Sequence, residues 1–251
     1  MADDIRSHLG FKNYVEDAAH MRAYAEYQKK YARTIRESDK VLIELLRARA
    51  APGARLLDLG CSTGNLLLHL KHALPGIALA GGDIVGSIIA ANRENPELAG
   101  IEFLELDMLA LPAAPQYDVV VTNAALMFFA PEEFQRAIAS IGRAVRPGGW
   151  FLAFDLFHPF EQEIDLIETS SRHPSGLRFH FRSYQAVRRA LDGARLSDPE
   201  FAFFSMPIAL PRPLDPSDIT SYTVETVEQQ RLSFRGALYQ PWCHLSARKK
   251  T

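Results

Sequence analysis

The sequence has few cysteines, no long apolar run and little net charge. Its 251 residues include only Cys61 and Cys243, which lie far apart and predict neither a disulfide framework nor a zinc site. No apolar run approaches the ~20 residues that span a bilayer. The formal net charge is −2, so the composition gives no electrostatic signature of general nucleic-acid or membrane binding.

The N-terminal sequence gives no sign of export. The first ten residues, MADDIRSHLG, are charged and have no apolar core, so we predict no signal peptide and a soluble, reduced, cytoplasmic protein. No metal site is predicted, because His69 and His72 fit a solvated helix face better than a pair of metal ligands. The oligomeric state is left open.

The chain does contain a regular alternation of helical and extended patterns. Residues 12–49 lack proline and glycine and predict helices, and residues 54–157 then alternate short apolar strands with amphipathic helices. This rhythm is typical of an α/β fold in which a parallel sheet carries helices on both faces.

The pattern becomes less regular after residue 157. We predict a helix over 182–194, a sixth strand over 199–210 and partial helix over 217–235. A last strand is expected within 236–249, where Pro241 indicates a bulge or an edge position. The predicted organisation is one domain over 1–251, comprising a helical segment 1–50, a core 51–157, and inserted segments 158–182 and 207–238.

The stretch LLDLGCSTGN, residues 56–65, ends the first strand in a short loop of small residues. Gly60 and Gly64 allow sharp bends and the close approach of a ligand to the backbone. Their G-x-x-x-G spacing lacks the middle glycine of the dinucleotide motif G-x-G-x-x-G. Asp58 precedes the loop, where a carboxylate suits an ammonium group better than a pyrophosphate.

Two further acids end the next strands. Asp83, in GGDI, comes 23 residues after Gly60, at a position where a carboxylate accepts hydrogen bonds from both ribose hydroxyls. Asp107, in LELDM, is placed to accept a hydrogen bond from an adenine amino group, with the Met108 backbone beside the ring. The three strand ends together predict a nucleoside-binding edge of the sheet.

Five motifs in order carry a family resemblance: LLDLGCSTGN, GGDI, FLELDMLALP, YDVVVTNAALMFF and RPGGWFLAFD. The chain resembles class I S-adenosylmethionine-dependent methyltransferases over roughly residues 36–157 and the last strand. The resemblance implies a Rossmann-like, doubly wound, seven-stranded sheet that is mostly parallel with an antiparallel last strand. We further predict that the N-terminal helices form a lid.

The resemblance also implies a cofactor, S-adenosylmethionine, and residues that contact it. Asp58, Gly60, Cys61, Ser62 and Gly64 would surround the methionine moiety, Asp83 the ribose, Ile84 the adenine face, Asp107 and Met108 the adenine edge, and Asn123 the sulfonium. In many relatives an arginine about twenty residues before the glycine loop holds the cofactor carboxylate. Arg36 fits this position best, and Arg33 is one helical turn away.

Residues on the acceptor side are less distinctive. His158, after the fifth strand, is a candidate general base, and equally a surface or hydrogen-bonded loop histidine. Tyr27, Tyr31 and Met127 are candidate acceptor contacts, although each also fits a packed face. Cys61 lacks an evident base and is interpreted as a small loop residue. A basic run fits an anionic acceptor less well than a solvated face: Arg172, His173, Arg178, His180 and Arg182.

The predicted reaction is in-line transfer of a methyl group to an O, N or C nucleophile of a small-molecule acceptor. TNAALMFF lacks the Asn-Pro-Pro-aromatic pattern of enzymes that methylate base amino groups, so neither a nucleic acid nor a membrane is expected as partner. Two alternatives stay open. One is a nicotinamide-dependent oxidoreductase, and the other is a non-catalytic module that binds S-adenosylmethionine.

Overall fold

The protein has a central sheet with helices on both faces. The computed structural model describes residues 18–112, 116–170, 173 and 176–251. Two helices precede the sheet, α1 (Ala18–Arg33) and α2 (Glu37–Arg47). The elements that follow are β1 (Arg55–Leu59), α3 (Asn65–Ala73), β2 (Ala78–Asp83), α4 (Gly86–Glu94), β3 (Glu102–Glu105), β4 (Tyr117–Asn123), α5 (Pro131–Ala144), β5 (Val145–His158), β6 (Ile164–Glu168), β7 (Leu177–Ser183), α6 (Tyr184–Gly193), β8 (Leu196–Phe203), β9 (Ser221–Glu225), β10 (Arg231–Arg235), β11 (Leu238–Gln240) and β12 (Trp242–Lys249).

Seven strands form the main sheet in the order β3-β2-β1-β4-β5-β12-β8. Neighbours from β3 to β5 pair in parallel, whereas β12 is antiparallel to both β5 and β8. The predicted doubly wound sheet with an antiparallel last strand is therefore confirmed. The chain order reverses between β1 and β4, and in open α/β sheets such a reversal creates the crevice in which ligands bind.

Alternate side chains of each central strand enter two separate apolar cores. Leu56, Val119 and Leu152 pack with α2, α3 and α4 on one face. Val120 and Phe151 pack with α5 and α6 on the other. Since both faces are covered, these strands read as continuous apolar runs, and their carboxyl ends are the sites at which polar residues collect.

Two inserted elements lie beyond the carboxyl end of β5. The hairpin of β6 and β7 extends the sheet, because Phe157 and His158 pair with the end of β7. Strands β9, β10 and β11 form a separate antiparallel sheet. Arg235 donates two hydrogen bonds of 3.0 Å to the carboxylate of Glu168, which links the small sheet to the hairpin.

Two predictions for the C-terminal part were wrong. Residues 217–235 contain β9 and β10 and no helix; the Glu- and Gln-rich stretch is a turn in which Thr226 and Gln230 are hydrogen-bonded. The last strand is split at Pro241, and β12 then runs in the sheet interior between β5 and β8. Proline is tolerated there because it lies before the first residue of the paired segment.

A helix that crosses a bilayer needs about 20 consecutive, mainly apolar residues. No helix in the described ranges is long and apolar enough to cross a bilayer.

Candidate cofactor and acceptor site

The glycine loop folds back over the end of β2. Gly60 and Gly64 both have φ of +73°, a region that residues with a Cβ rarely adopt. The amides of Gly60 and Cys61 donate to the carbonyl of Gly82 at 2.7 and 3.1 Å. A Cβ added at Gly60 would lie 3.1 Å from the Cβ of Ala125, so glycine also allows the loop to approach the segment after β4.

Asp83 holds the loop from the neighbouring strand end. Its carboxylate accepts hydrogen bonds from the amides of Ser62 and Val85, each at 3.0 Å. Asn92 donates to the carbonyl of Ser62 at 2.7 Å. Burial raises the pKa of Asp83, and the backbone donors oppose that shift. The hydroxyl of Ser62 has no hydrogen-bond partner within the described part of the chain.

Asp58 is a buried carboxyl group beneath this loop. It is 2% exposed, and its Oδ1 has no hydrogen-bond partner among the residues that the structure describes. Burial raises its pKa to about 8, and the negative charges of Asp39 and Asp83 add to the shift. A buried acid with a free acceptor and two like charges nearby fits a cationic ligand group, which would supply both the missing donor and the missing charge.

Arg36 reaches the loop through Gln28. Its guanidinium donates to Gln28 Oε1 at 2.6 Å and stacks over the ring of Tyr31 at 3.9 Å. Asn65, the first residue of α3, donates to the Gln28 carbonyl at 2.9 Å. These contacts place Arg36 beside the glycine loop, whereas Arg33 is exposed.

Tyr27 and Tyr31 form one aromatic pair on α1. Their hydroxyl oxygens are 3.1 Å apart, and Tyr27 is 43% exposed. Burial acts to raise the pKa of Tyr31, but hydrogen bonds to Tyr27 and Lys30 help to lower it overall. The pair therefore lies at the outer side of Arg36.

The residues predicted for the adenine lie together at the ends of β2 and β3. Asp107 Oδ1 accepts a hydrogen bond from the Leu109 amide at 2.8 Å, which leaves the second carboxylate oxygen for another donor. Met108 is buried, and Ile84 packs against the same apolar cluster. A Cβ on Gly60 would lie 3.9 Å from Met108 Cε, so the two predicted contact regions adjoin.

Comparison with known proteins indicates the family that the segment around this crevice resembles. Residues 56–149 match the family model described as "Methyltransferase domain". Over this segment the chain is similar to class I S-adenosylmethionine-dependent methyltransferases. The cofactor of this family is S-adenosylmethionine, and the unpartnered Asp58 oxygen, the open glycine loop and the strand-end acids fit its ammonium, methionine and nucleoside parts.

Relatives of the methyltransferase domain differ in what their names say they act on. The chain is 34% identical to a demethylmenaquinone methyltransferase of Thermus thermophilus, over 42% of this chain and 48% of that protein. It is 31% identical to a trans-aconitate 2-methyltransferase of Mycolicibacterium gilvum, over 61% and 59%. The chain thus spans about half the length of the curated relatives it matches.

A solved structure extends the likeness of the fold beyond the matched residues. The crystal structure of an S-adenosylmethionine-dependent methyltransferase from Methanosarcina mazei is similar with a TM-score of 0.59. The alignment covers 82% of this chain and 97% of that chain. The identity of 16% shows a shared fold and no more.

On the acceptor side of the methyltransferase domain, Asn123 and His158 end neighbouring strands. Asn123 donates to Asp39 Oδ1 at 2.9 Å. His158 is 4% exposed, and neither ring nitrogen has a hydrogen-bond partner in the described ranges. Burial lowers its pKa, and the negative charge of Glu163 and the nearby backbone groups of Phe160 and Phe181 partly oppose this. His158 is therefore a buried imidazole that is neutral at pH 7, and the exposed ring of Phe160 lies 6.1 Å from it.

Met127 and Cys61 are packed rather than open to the crevice. Met127 is 7% exposed in a cluster with Leu156, Phe179 and Phe181. Its direct contact with an acceptor stays a prediction. Burial strongly raises the pKa of the Cys61 thiol, which keeps it protonated and fits its interpretation as a small loop residue.

The basic run was misjudged as a solvated face. His180 is 6% exposed and Arg182 is 3% exposed, while Arg178 pairs with Asp165. Arg172 lies outside the described residues. His180 and Arg182 line a cavity of about 240 Å³ between the hairpin, α5 and α6.

Two buried residues of opposite charge, Asp155 and Arg182, whose role the sequence analysis missed, support the segment after β4. Asp155 is fully buried and accepts hydrogen bonds from the amides of Leu126 and Met127 at 2.8 and 3.3 Å. Arg182 donates to the carbonyls of Leu126 and Phe129. Burial raises the pKa of Asp155 to about 6, against the opposing effects of backbone donors and Arg182. An acid inside the apolar stretch LAFDLF was the signal available in the sequence.

Proposed function

We propose that this chain transfers a methyl group from S-adenosylmethionine to an O, N or C nucleophile of a small-molecule acceptor. The observation that carries the proposal is the buried, unpartnered carboxyl of Asp58 under the glycine loop, next to Asp83. In one crevice, Asp58 would bind the ammonium group, Asp83 the ribose and Arg36 the carboxylate. The glycine loop would leave room for the ligand against the backbone.

The protein's task in this reaction is alignment. The cofactor supplies an already activated methyl group on its sulfonium. The residues of the crevice bind the donor in one orientation, bring an acceptor to near-attack distance and exclude water. We also propose that α1 and α2 act as the lid and that segments 158–182 and 207–238 shape the acceptor pocket, since both inserted segments lie at the carboxyl end of β5.

His158 is our candidate general base for a hydroxyl acceptor. Its imidazole, at the end of β5, has a pKa lowered by burial and is therefore able to accept a proton. With a hydroxyl acceptor, His158→Gln is expected to lower kcat by about 10²- to 10⁴-fold, whereas His72→Gln, on an exposed helix position, is the matched control. An unchanged kcat would remove His158 from this role.

The acceptor class is supported by charge and by the relatives. The formal charge of −2 offers no general basic surface for a polyanion, and two relatives are named for demethylmenaquinone and trans-aconitate, which are small molecules. We therefore propose a small metabolite as acceptor, in a cytoplasmic setting without nucleic-acid or membrane partners.

Loss of the Asp83 carboxylate tests the assignment of the ribose. Asp83→Ala is expected to weaken binding of both S-adenosylhomocysteine and methylthioadenosine by about 1–3 kcal/mol, because both contain the ribose. Asp118→Ala removes an acid at the opposite end of β4 and is the control. Calorimetric affinities for Asp83→Ala equal to those of the wild type would reject the role.

Arg36 tests the carboxylate end of the cofactor. Arg36→Ala is expected to weaken binding of S-adenosylhomocysteine more than that of methylthioadenosine, which lacks the carboxylate. Equal losses for the two ligands would reject the assignment. Cofactor binding without transfer to any acceptor in a broad screen would instead favour the non-catalytic binding module.

A further inference from the structure

Asp39 is a buried acid on the apolar side of α2. It is 1% exposed, and Leu42, Ile43 and Leu46, three, four and seven residues further along the helix, are buried in the same stripe. Acids are almost never fully buried unless they are paired, because desolvation of the charged form is costly. The position of Asp39 therefore requires a partner.

The described contacts satisfy Asp39 only in part. Asn123 donates to its Oδ1 at 2.9 Å. The nearest guanidinium nitrogen of Arg36 is 4.0 Å from its Oδ2, whereas Arg36 makes its short hydrogen bond, at 2.6 Å, to Gln28. Asp39 thus has a neutral donor at close range and a cation at the limit of an ion pair.

Asp39 and Asp58 act on each other electrostatically across the crevice. Asn123, which donates to Asp39, directly follows Thr122, and Thr122 pairs with Leu59, the residue after Asp58, so Asp39 on α2 lies against the end of β1. The charge of Asp39 also helps to raise the pKa of Asp58. The other charged or titratable groups that act on this pair are Arg36, His69, Asp83 and Cys61. Of these, only Arg36 is a permanent cation, so the cluster has an excess of acid.

We propose that Asp39, together with Asp58, holds the ammonium group of the cofactor between α2 and β1. This inference rests on the proposed function. Asp58 contributes an oxygen without a partner in the described part of the chain, and Asp39 contributes a second carboxylate from the N-terminal helices. Because Asp39 also orients Asn123, the same residue connects the N-terminal helices to the acceptor side.

Asp39→Asn tests the proposal without removing the hydrogen bond to Asn123. The new side chain keeps an oxygen acceptor of the same size but loses the charge. We expect the affinity for S-adenosylhomocysteine to fall about tenfold or more, and that for methylthioadenosine, which lacks the ammonium, to change less than about twofold. Glu37→Gln, on the same helix and paired with surface Lys40, is the control for loss of one acid.

Proton release gives a second readout. With a pKa of about 8, Asp58 is mostly protonated in the free protein at pH 7 and must ionise when the ammonium binds. Titrations in buffers of different ionisation enthalpy are expected to show proton release, of at most about one proton per wild-type site. The release is expected to shrink in Asp39→Asn, where one repelling charge is gone, and to disappear in Asp58→Asn.

The outcomes separate this inference from the proposed function. Wild-type binding of S-adenosylhomocysteine, combined with unchanged or tighter binding by Asp39→Asn, would overturn the inference and leave cofactor binding intact. Tighter binding would mean that Asp39 only restrains Arg36. A loss seen with S-adenosylmethionine alone would assign Asp39 to the sulfonium and also overturn the inference. No wild-type binding of either ligand would overturn the proposed function itself.

Discussion

The stability of the cofactor-free protein is expected to fall with rising pH because of Asp58. Burial, reinforced by Asp39 and Asp83, raises the pKa of this carboxyl from 3.8 to about 8. Between these two values the native state holds a proton that the unfolded chain has lost. The contribution is therefore complete below the unfolded pKa and is lost as the pH rises toward 8, by about 1.4 kcal/mol per pH unit.

Urea denaturation of the wild type and of Asp58→Asn measures the pH-dependent contribution of Asp58 to the free energy of unfolding. From pH 5.5 to 7.5 the free energy of unfolding of the wild type is expected to fall relative to that of Asp58→Asn by about 2–3 kcal/mol. Contributions of Asp155 and the buried histidines are common to both proteins and cancel in the difference. Asp118→Asn is the control, because hydrogen bonds from Arg55 and Arg146 lower the pKa of Asp118 and place its effect at more acidic pH.

Parallel profiles of stability against pH for the wild type and Asp58→Asn would contradict a raised pKa of Asp58 in the folded protein. They would mean that Asp58 is ionised in the free protein and has a counter-charge or a solvent path. A further check uses saturating S-adenosylhomocysteine, which is expected to flatten the wild-type profile, since the ammonium stabilises the ionised carboxylate.

Two other predictions concern the glycine loop and the buried residues Asp155 and Arg182. Gly60→Ala is expected to weaken S-adenosylhomocysteine binding at least tenfold, or about 1.4 kcal/mol, in calorimetry, because its Cβ meets a second Cβ at 3.1 Å. Gly53→Ala has a similar positive φ but open space, so it is expected to cost stability and not affinity. Arg182→Met removes a buried guanidinium that donates to the carbonyls of Leu126 and Phe129 and acts electrostatically on the fully buried Asp155, and it is expected to destabilise the protein by about 3–5 kcal/mol in urea denaturation. Arg178→Met, which removes a partly exposed ion pair, is expected to cost about 1 kcal/mol or less, and equal effects would contradict the distinction.

The core of the fold could be predicted because local pattern and global role agree there. Strands β1, β4 and β5 are buried on both faces, so their apolar runs are unambiguous, and the amphipathic helices between them have a single buried side. The helix prediction for residues 217–235 was wrong because the strands there belong to a small, half-exposed sheet. There, polar residues of good helix propensity also occur in β9 and β10, and local preference does not decide the pairing.

The candidate site divides in the same way. Strand-end acids such as Asp83 follow from topology, since parallel strands present their carboxyl ends at one edge. Asp39 was missed because an acid in the first turn of a helix is also what the helix dipole favours. Its hydrogen-bond donor, Asn123, is distant in sequence. The signal was its position in the apolar stripe of α2, which only a helical projection of 37–47 displays.

The contact of Arg182 with the segment after β4 depends on how the hairpin folds back. Arg182 lies in a run of basic residues, which in isolation is typical of a solvated surface. Only the register of β7 on β5, with Phe157 opposite Arg182, places the guanidinium against the segment 126–129. Sequence spacing carries no information on that register.

The crevice at the ends of β1, β2 and β4 is proposed to bind S-adenosylmethionine. Calorimetric titration of the purified protein with S-adenosylhomocysteine, and separately with NADH, tests this binding directly. We expect micromolar binding of S-adenosylhomocysteine and no binding of NADH. Binding of NADH alone, or of neither ligand, would contradict it.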